Sequence, residues 1–334
     1  LSTAIVLERL DREQFPRLTL DFDGSVLSTK SHAEGSAVGF NKVKKGARSY
    51  YPLFCTVAQT GQFFDMHHRP GNVHDSNGAD AFIRDCLGTV RGASPGAVIE
   101  SRLDSAFFSK ELVPILEEHG AEFTISVPFE RFAELKGMIE ARKRWAHGDG
   151  GWEYFETDWK PKSWDRRYRF IFVRKTVKRQ IKGPLQLDLF EPRDFDFEYK
   201  VVLTNKRQGA KAVVQFHNGR GAQEAIFGDA KQDAALGVVP TRRLPANQVY
   251  TLCAMMAHNL ARELQMLAAP AAKRATAKRA AGWTFEKLDT LRRRIFQRAG
   301  RMTRPQGELT LTMSGNEAVK KDLLHFLESL EKAA

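Results

Sequence analysis

The chain has 334 residues, 42% hydrophobic and 10% aromatic, which is enough to bury a sizeable core and rules out a disordered chain. Lys and Arg number 52 against 40 Asp and Glu, so the net charge is +12, an excess that speaks against an enzyme of small neutral metabolites and for a polyanionic partner. Cys55, Cys86 and Cys253 lie far apart with no Cys-x-x-Cys pair, which excludes a disulfide scaffold and a cysteine-built zinc site.

The chain begins Leu-Ser-Thr-Ala-Ile-Val-Leu-Glu, with neither the basic region nor the cleavage site of a signal peptide. Residues 17–23 alternate, with Leu18, Leu20 and Phe22 on one face and Thr19, Asp21 and Asp23 on the other, and so predict a strand. Further β runs cover Tyr50–Thr60 and Gln62–His67, and a turn-rich segment from Arg69 to Gly78 leads into a helix over Ala79–Leu87. A strand over Ala97–Leu103 ends at Asp104, an amphipathic helix follows over Ala106–His119 and stops at Gly120, and Glu122–Val127 reads as the next strand. Such alternation predicts an α/β layer structure. Between about Gly137 and Thr204 the chain turns aromatic and charged, with strands over Trp152–Thr157, Tyr168–Thr176 and Phe197–Thr204, a mostly β insertion. Helical pattern returns from Lys211 to Gln232 and over Asn247–Leu267, the latter broken by His258, Asn259, Arg262 and Glu263, and no stretch reaches the ~20 apolar residues that cross a bilayer. The basic segment 273–304 holds eleven Lys and Arg against Glu286 and Asp289 and reads as a phosphate-backbone contact rather than a merely solvated face. These shifts divide the chain at 1–133, 134–206, 207–268 and 269–334.

Two carboxylates stand where strands end. Asp23, in Leu20-Asp-Phe-Asp-Gly-Ser25, closes an apolar-backed strand, a rigid mount for holding a hard cation. Asp-Gly is also a turn former, and Asp21 shares the face, so alternation leaves both acids open as the ligand. Asp104 sits where a strand meets a helix, as a ligand or as an ordinary helix cap. His217, Arg220, Glu224 and Lys231 stand at offsets 0, 3, 7 and 14, within a stripe of ~60° on one helix at ~100° per residue, with Ile226 and Ala230 opposite. Gly219 and Gly221 weaken the first turn, which leaves His217 either on that helix or in the loop before it. An i,i+4 salt-bridge ladder accounts for part of the stripe; an acid between cations also suits a metal-bound phosphate.

His217-x2-Arg220-x3-Glu224-x6-Lys231 resembles the Tyr-x2-Arg-x3-Glu-x6-Lys signature of the insertion-sequence DDE transposases, with His in place of Tyr. Phe22-Asp-Gly-Ser25 is similar to that family's first-acid segment with Ser for Thr, and Arg102-Leu-Asp-Ser-Ala-Phe-Phe108 to the segment around its second Asp. Arg69-Pro-Gly-Asn-Val-His-Asp75 resembles a non-catalytic loop between the two; the likeness runs from about Leu18 to Leu267, and the basic Leu291–Arg304 looks like the family's C-terminal end. The resemblance implies a ribonuclease-H-like α/β fold, a mixed sheet of five strands flanked by helices, with the acids on the first strand, the fourth strand and a late helix and a mostly β insertion between the second Asp and the Glu. It implies Asp23, Asp104 and Glu224 as catalytic residues holding two Mg²⁺ or Mn²⁺ ions, and His217, Arg220, Lys231, Arg292, Arg293 and Arg294 on DNA. The implied partner is double-stranded DNA, at the element's terminal repeats and at the target, bracketed by a homodimer without organic cofactor in a bacterial cytoplasm, associated with the nucleoid. Family members carry a helical DNA-binding portion before the first-Asp strand; only about 17 residues precede it here, so the chain reads as the catalytic core of a truncated protein. Two rivals stand beside this reading: a DNA-binding remnant without chemistry, and a ribonuclease-H-like nuclease without strand transfer.

Trp152, Trp159 and Trp164 offer faces for a flipped base, though a core or strand-face role is the simpler reading of each. His67, His68, His74 and Asp75 lack standard zinc spacing. His258 and Asn259 read as satisfied polar residues inside a helix bundle. No Walker A loop, dinucleotide glycine motif, nucleophile elbow or His-Glu-x-x-His is present.

Overall fold

The computed structural model describes residues 2–39, 41, 44–74, 77–177, 197–269, 271, 281–313 and 315–333. Helix α1 (Ser2–Glu13) precedes the alternating strand β1 (Arg17–Gly24), and a small three-stranded sheet of β2 (Leu27–Ser28), β3 (Ala37–Val38) and β4 (Arg48–Tyr50) follows. Next come β5 (Leu53–Val57), β6 (Gln62–His67), α2 (Ala79–Ala93), β7 (Val98–Leu103), α3 (Leu112–Glu118), β8 (Glu122–Val127) and α4 (Ala133–Ala141). The aromatic middle forms β9 (Ala146–His147), β10 (Trp152–Trp159), β11 (Tyr168–Thr176) and β12 (Phe197–Thr204), and the helical part forms α5 (Ala210–Asn218), α6 (Gly221–Asp233) and α7 (Leu244–Ala268). The C-terminal part contributes α8 (Leu288–Leu291) continuing into a π-turn, the hairpin β13 (Gly300–Thr303) and β14 (Thr310–Met313), and α9 (Glu317–Glu331).

One nine-stranded sheet, ordered β6-β5-β1-β7-β8-β12-β11-β10-β9, organises the chain. The first five strands form the mixed sheet implied by the resemblance: β1 pairs antiparallel with β5 and parallel with β7, and β7 parallel with β8. The insertion does not stack as a separate layer. Its strands continue the same sheet, β12 joining β8 antiparallel from Val201↔Val127 to Thr204↔Thr124.

The two faces of the sheet differ. One is apolar except for the buried Ser101: Leu18, Leu20, Phe22, Ile99, Leu103, Phe123 and Ile125 pack against α1, α2 and α3 through residues such as Leu10, Ile83, Leu87 and Leu116. The other face is apolar only at its flanks. Phe54 and Phe63 receive Ile226, Phe227 and Met255 of α6 and α7 on one side, and Ile171 receives Val213 and Val214 of α5 on the other. Between these flanks the central strands carry Thr19, Asp21, Glu100, Arg102, Glu122 and Thr124, a polar band under the α5–α6 junction.

The helix expected over Ala106–His119 is broken. A 3-10 turn spans Ser105–Phe107 and α3 begins only at Leu112. Pro114 has no N–H, so it fits the first turn of a helix and would interrupt one that had begun eight residues earlier. Gly120, at φ 61°, ends the segment as expected. No helix among the described residues is long and apolar enough to cross a membrane.

Candidate active site

In the parallel register of β1 and β7, Phe22 lies beside Leu103, so Asp23 and Asp104 are the next residues on adjacent strands. Pleating sends both to the polar face. Asp21 and Arg102 form the register pair one step behind them, and there the two acids of β1 part ways. Asp21 is 1% exposed and takes a two-pronged ion pair from Arg102, Nε to Oδ1 and Nη2 to Oδ2 at 2.6 Å each. Asp23 is half-buried: its Oδ1 accepts from the Gly24 amide at 2.9 Å and its Oδ2 from Arg220 Nη1 at 3.0 Å. Asp104 Oδ1 accepts from the Ala106 amide at 2.8 Å, capping the short turn. The turn-forming and capping readings of these acids hold, and each occupies one carboxylate oxygen.

The stripe from His217 to Lys231 is split between two helices. α5 closes at Asn218, and Gly219 and Arg220 keep right-handed backbone angles while bridging to α6 through short-range bonds, Arg220 N to His217 O and Gln223 N to Arg220 O. The junction is built over the acid-bearing strands. Arg102 Nη1 donates to Phe216 O at 3.2 Å, with its guanidinium 5.3 Å from the Phe216 ring, and Gln223 Nε2 donates to Asp21 O at 3.0 Å. A Cβ on Gly219 would stand 2.2 Å from Arg102 Nη1, so only glycine admits this approach.

His217, expected against DNA, is 1% exposed, with Nδ1 2.9 Å from Thr124 Oγ1 and Nε2 2.8 Å from Ser126 Oγ, so it ties α5 to β8. Burial, then the charges of Lys200, Arg220 and Arg102, hold its pKa well below the usual histidine range. Glu224 lies exposed in the first turn of α6, where the helix dipole favours an acid, one turn beyond Arg220. Lys231 Nζ donates to Val26 O at 3.0 Å; burial lowers its pKa and the Asp23 carboxylate works against that shift. Asp23 and Asp104 thus follow adjacent strand positions and Arg220 rests on Asp23, whereas Asp23, Asp104 and Glu224 do not close into a cage: no three His, Cys, Asp or Glu side chains do so among the described residues.

Of the C-terminal arginines, Arg292 donates to Asp233 O at the end of α6, and Arg293, its side chain 73% exposed, pairs with Asp289 at 2.8 Å. Arg294 pairs with Glu286 and lies 5.2 Å over the Phe326 ring. Lys273, Arg274, Lys278 and Arg279 of the same basic segment lie outside the described residues. Trp159 and Trp164 are buried core residues, Trp164 stacking on Phe108 at 5.0 Å, and Trp152 is half-buried. His68 is half-buried against Tyr50, and Asp75 lies outside the described residues. Asn259 is satisfied by both backbone groups of Phe63, while His258, 0% exposed, has no hydrogen-bond partner for either ring nitrogen among the described residues and faces Asp229 at 3.9 Å.

The pattern of the transposase DDE domain group 1 family matches residues 2–334. The chain belongs to that family. No curated protein matches the chain. Among solved structures, this DDE domain is similar to a piggyBac transposase in a synaptic complex with hairpin DNA, with a TM-score of 0.47 and 12% identity over 78% of this chain and 50% of that one. The chain therefore spans about half the length of that solved chain. Arg102 and Gln223 of the DDE domain had no role in the sequence reading. Arg102 stands two residues before Asp104 as Asp21 stands two before Asp23, so their pairing was legible only once β1 and β7 were known to run parallel in that register.

Proposed function

We propose that this domain cuts DNA at the ends of an insertion sequence and joins those ends to a target by in-line phosphoryl transfer, with Asp23, Asp104 and Glu224 as the acids that hold two Mg²⁺ or Mn²⁺ ions. The observation that supports it most is the convergence of Asp23 and Asp104 at adjacent parallel strand ends, with Arg220 of the Glu-bearing junction already on Asp23. Carboxylate oxygens are the donors that hard divalent ions prefer. Asp21, whose two oxygens are taken by a buried arginine, is not counted among them. Bound at this set, the ions supply the charge that activates a water or a 3′-hydroxyl and stabilises the leaving oxygen.

The chain's own groups do the rest. Asp23 and Asp104 are aimed by strand ends and by the Gly24 and Ala106 amides, and Glu224 rides on a helix whose start is bonded to β1 through Gln223. Arg220, Lys231 and Arg293 are the cations for DNA phosphates near the cut and along the flank; His217, Arg292 and Arg294 position helices instead. The partner is double-stranded DNA, at the terminal repeats and the target, and a homodimer brackets two ends.

The test is Mg²⁺- or Mn²⁺-dependent cleavage of a duplex carrying the flanking element end, with Glu224→Gln beside the natural chain. Cleavage lost in Glu224→Gln while DNA binding persists is the expected result. Binding without cleavage in either protein identifies a remnant without chemistry, cleavage without joining identifies a nuclease, and cleavage that survives Glu224→Gln removes Glu224 from the acid set.

A further inference from the structure

The cation that faces Asp23 is part of the protein. Arg220 Nη1 lies 3.0 Å from Asp23 Oδ2, and the two side chains are only 22% and 21% exposed. This is no chance surface pair. Arg220 starts α6 in a backbone held by its own amide on His217 O, by Arg102 on Phe216 O and by Gln223 on Asp21 O, so the fold delivers the guanidinium to that one carboxylate. Lys200 is half-buried near Arg220, and after burial the nearness of Arg220 helps to lower its pKa. An arginine whose carboxylate is taken over by a divalent ion in such surroundings needs a new anion, and a DNA phosphate matches its forked donors.

We propose that Arg220 guards Asp23 in the free protein and exchanges that carboxylate for a DNA phosphate when a divalent cation binds, so that cation and DNA binding strengthen each other. The inference rests on the assignment of Asp23 as a cation ligand. It assigns Arg220 two partners in turn: without DNA it competes with the ion for Oδ2, and with DNA the competition is relieved. Because coupling between two sites is reciprocal, DNA tightens cation binding by the same factor by which the cation tightens DNA binding. Stray ions are held off until substrate is present, which ties assembly of the acid site to arrival of DNA.

The experiment measures Mn²⁺ binding by electron paramagnetic resonance on the full chain, with and without a short duplex, for the natural protein, Arg220→Gln and Asp23→Asn. Arg220→Gln is expected to bind Mn²⁺ roughly fivefold more tightly without DNA, the scale of a lost partly exposed ion pair. The duplex is expected to tighten Mn²⁺ binding in the natural chain and to do so much less in Arg220→Gln. Mn²⁺ affinity that is unchanged or weakened in Arg220→Gln, while Asp23→Asn abolishes it, overturns the guard and leaves the acid assignment standing. Mn²⁺ binding that Asp23→Asn leaves intact overturns both.

Discussion

Asp21 and Asp23 share a strand face two residues apart, yet substitution should separate them. Asp21→Asn leaves the Arg102 guanidinium, 2% exposed, without its carboxylate, and losing one partner of a buried pair costs about 3–5 kcal/mol. Asp23→Asn removes one end of a partly exposed pair, at about 1 kcal/mol or less, and abolishes cleavage. Urea unfolding alongside a cleavage assay distinguishes the two, and equal stability losses would refute the assignment. Arg293 and Arg294, neighbours in a basic run, divide in the same manner. Arg293→Ala should leave the melting temperature unchanged and flatten the salt dependence of DNA affinity by about one unit of slope. Arg294→Ala should lower the melting temperature, because it removes the pairing with Glu286 and the stacking on Phe326. Charge in the sequence announced a polyanion contact, but nothing in three consecutive arginines says which side chain turns inward.

At the scale of the element, the α5–α6 junction depends on two glycines that behave oppositely. Gly219→Ala puts a Cβ 2.2 Å from Arg102 Nη1, in a spot where neither strand nor helix yields, and should cost about 1–3 kcal/mol and disable cleavage. Gly221→Ala meets nothing within 4 Å at the first residue of α6 and should stabilise by about 0.4–1 kcal/mol at most, by restricting the unfolded chain. Thermal unfolding of the two single variants tests the contrast; a neutral Gly219→Ala would mean that Arg102 is not fixed where it stands. The helix stripe was visible in the spacing of Arg220, Glu224 and Lys231. The break after Asn218 was half visible in the glycines, whereas burial of His217 depends on Thr124 and Ser126, which come from a strand about 90 residues away. The Ala106–His119 helix failed at Pro114, a local signal that amphipathic spacing overrode.

Across the whole molecule, buried histidines set an acid limit on stability. Burial holds His68 down to about 4 and His258 down to about 3 from the ordinary 6.5, with neighbouring positive groups adding to each shift, and His217 is lowered as well. The unfolded chain therefore binds protons that the native chain refuses. Stability is full above about pH 6.5 and falls toward lower pH, by up to ~1.4 kcal/mol per pH unit for each such histidine, until the folded values are reached. Urea midpoints at pH 7 and pH 5 should differ by less in His258→Phe, which fills the same slot beside Phe63, and parallel pH profiles would count against this account. Eight of the nine strands of the main sheet were legible, all but the short edge strand β9, and the long insertion strands matched their expected ranges closely, while their joining onto β8 was not legible.

The sequence by itself determined most strands of the main sheet and the longer helices that cover it, the α/β class, the cationic character and the set of acids at strand ends, because alternation, helical spacing and charge are short-range properties written in consecutive residues. The tertiary structure decided which acid of β1 is spent on an arginine, that the insertion widens the sheet and seats α5, and that Arg220 rests on Asp23. Each of these depends on partners tens to hundreds of residues apart, brought together by parallel register and by helices packed on the apolar flanks of a sheet whose centre is polar.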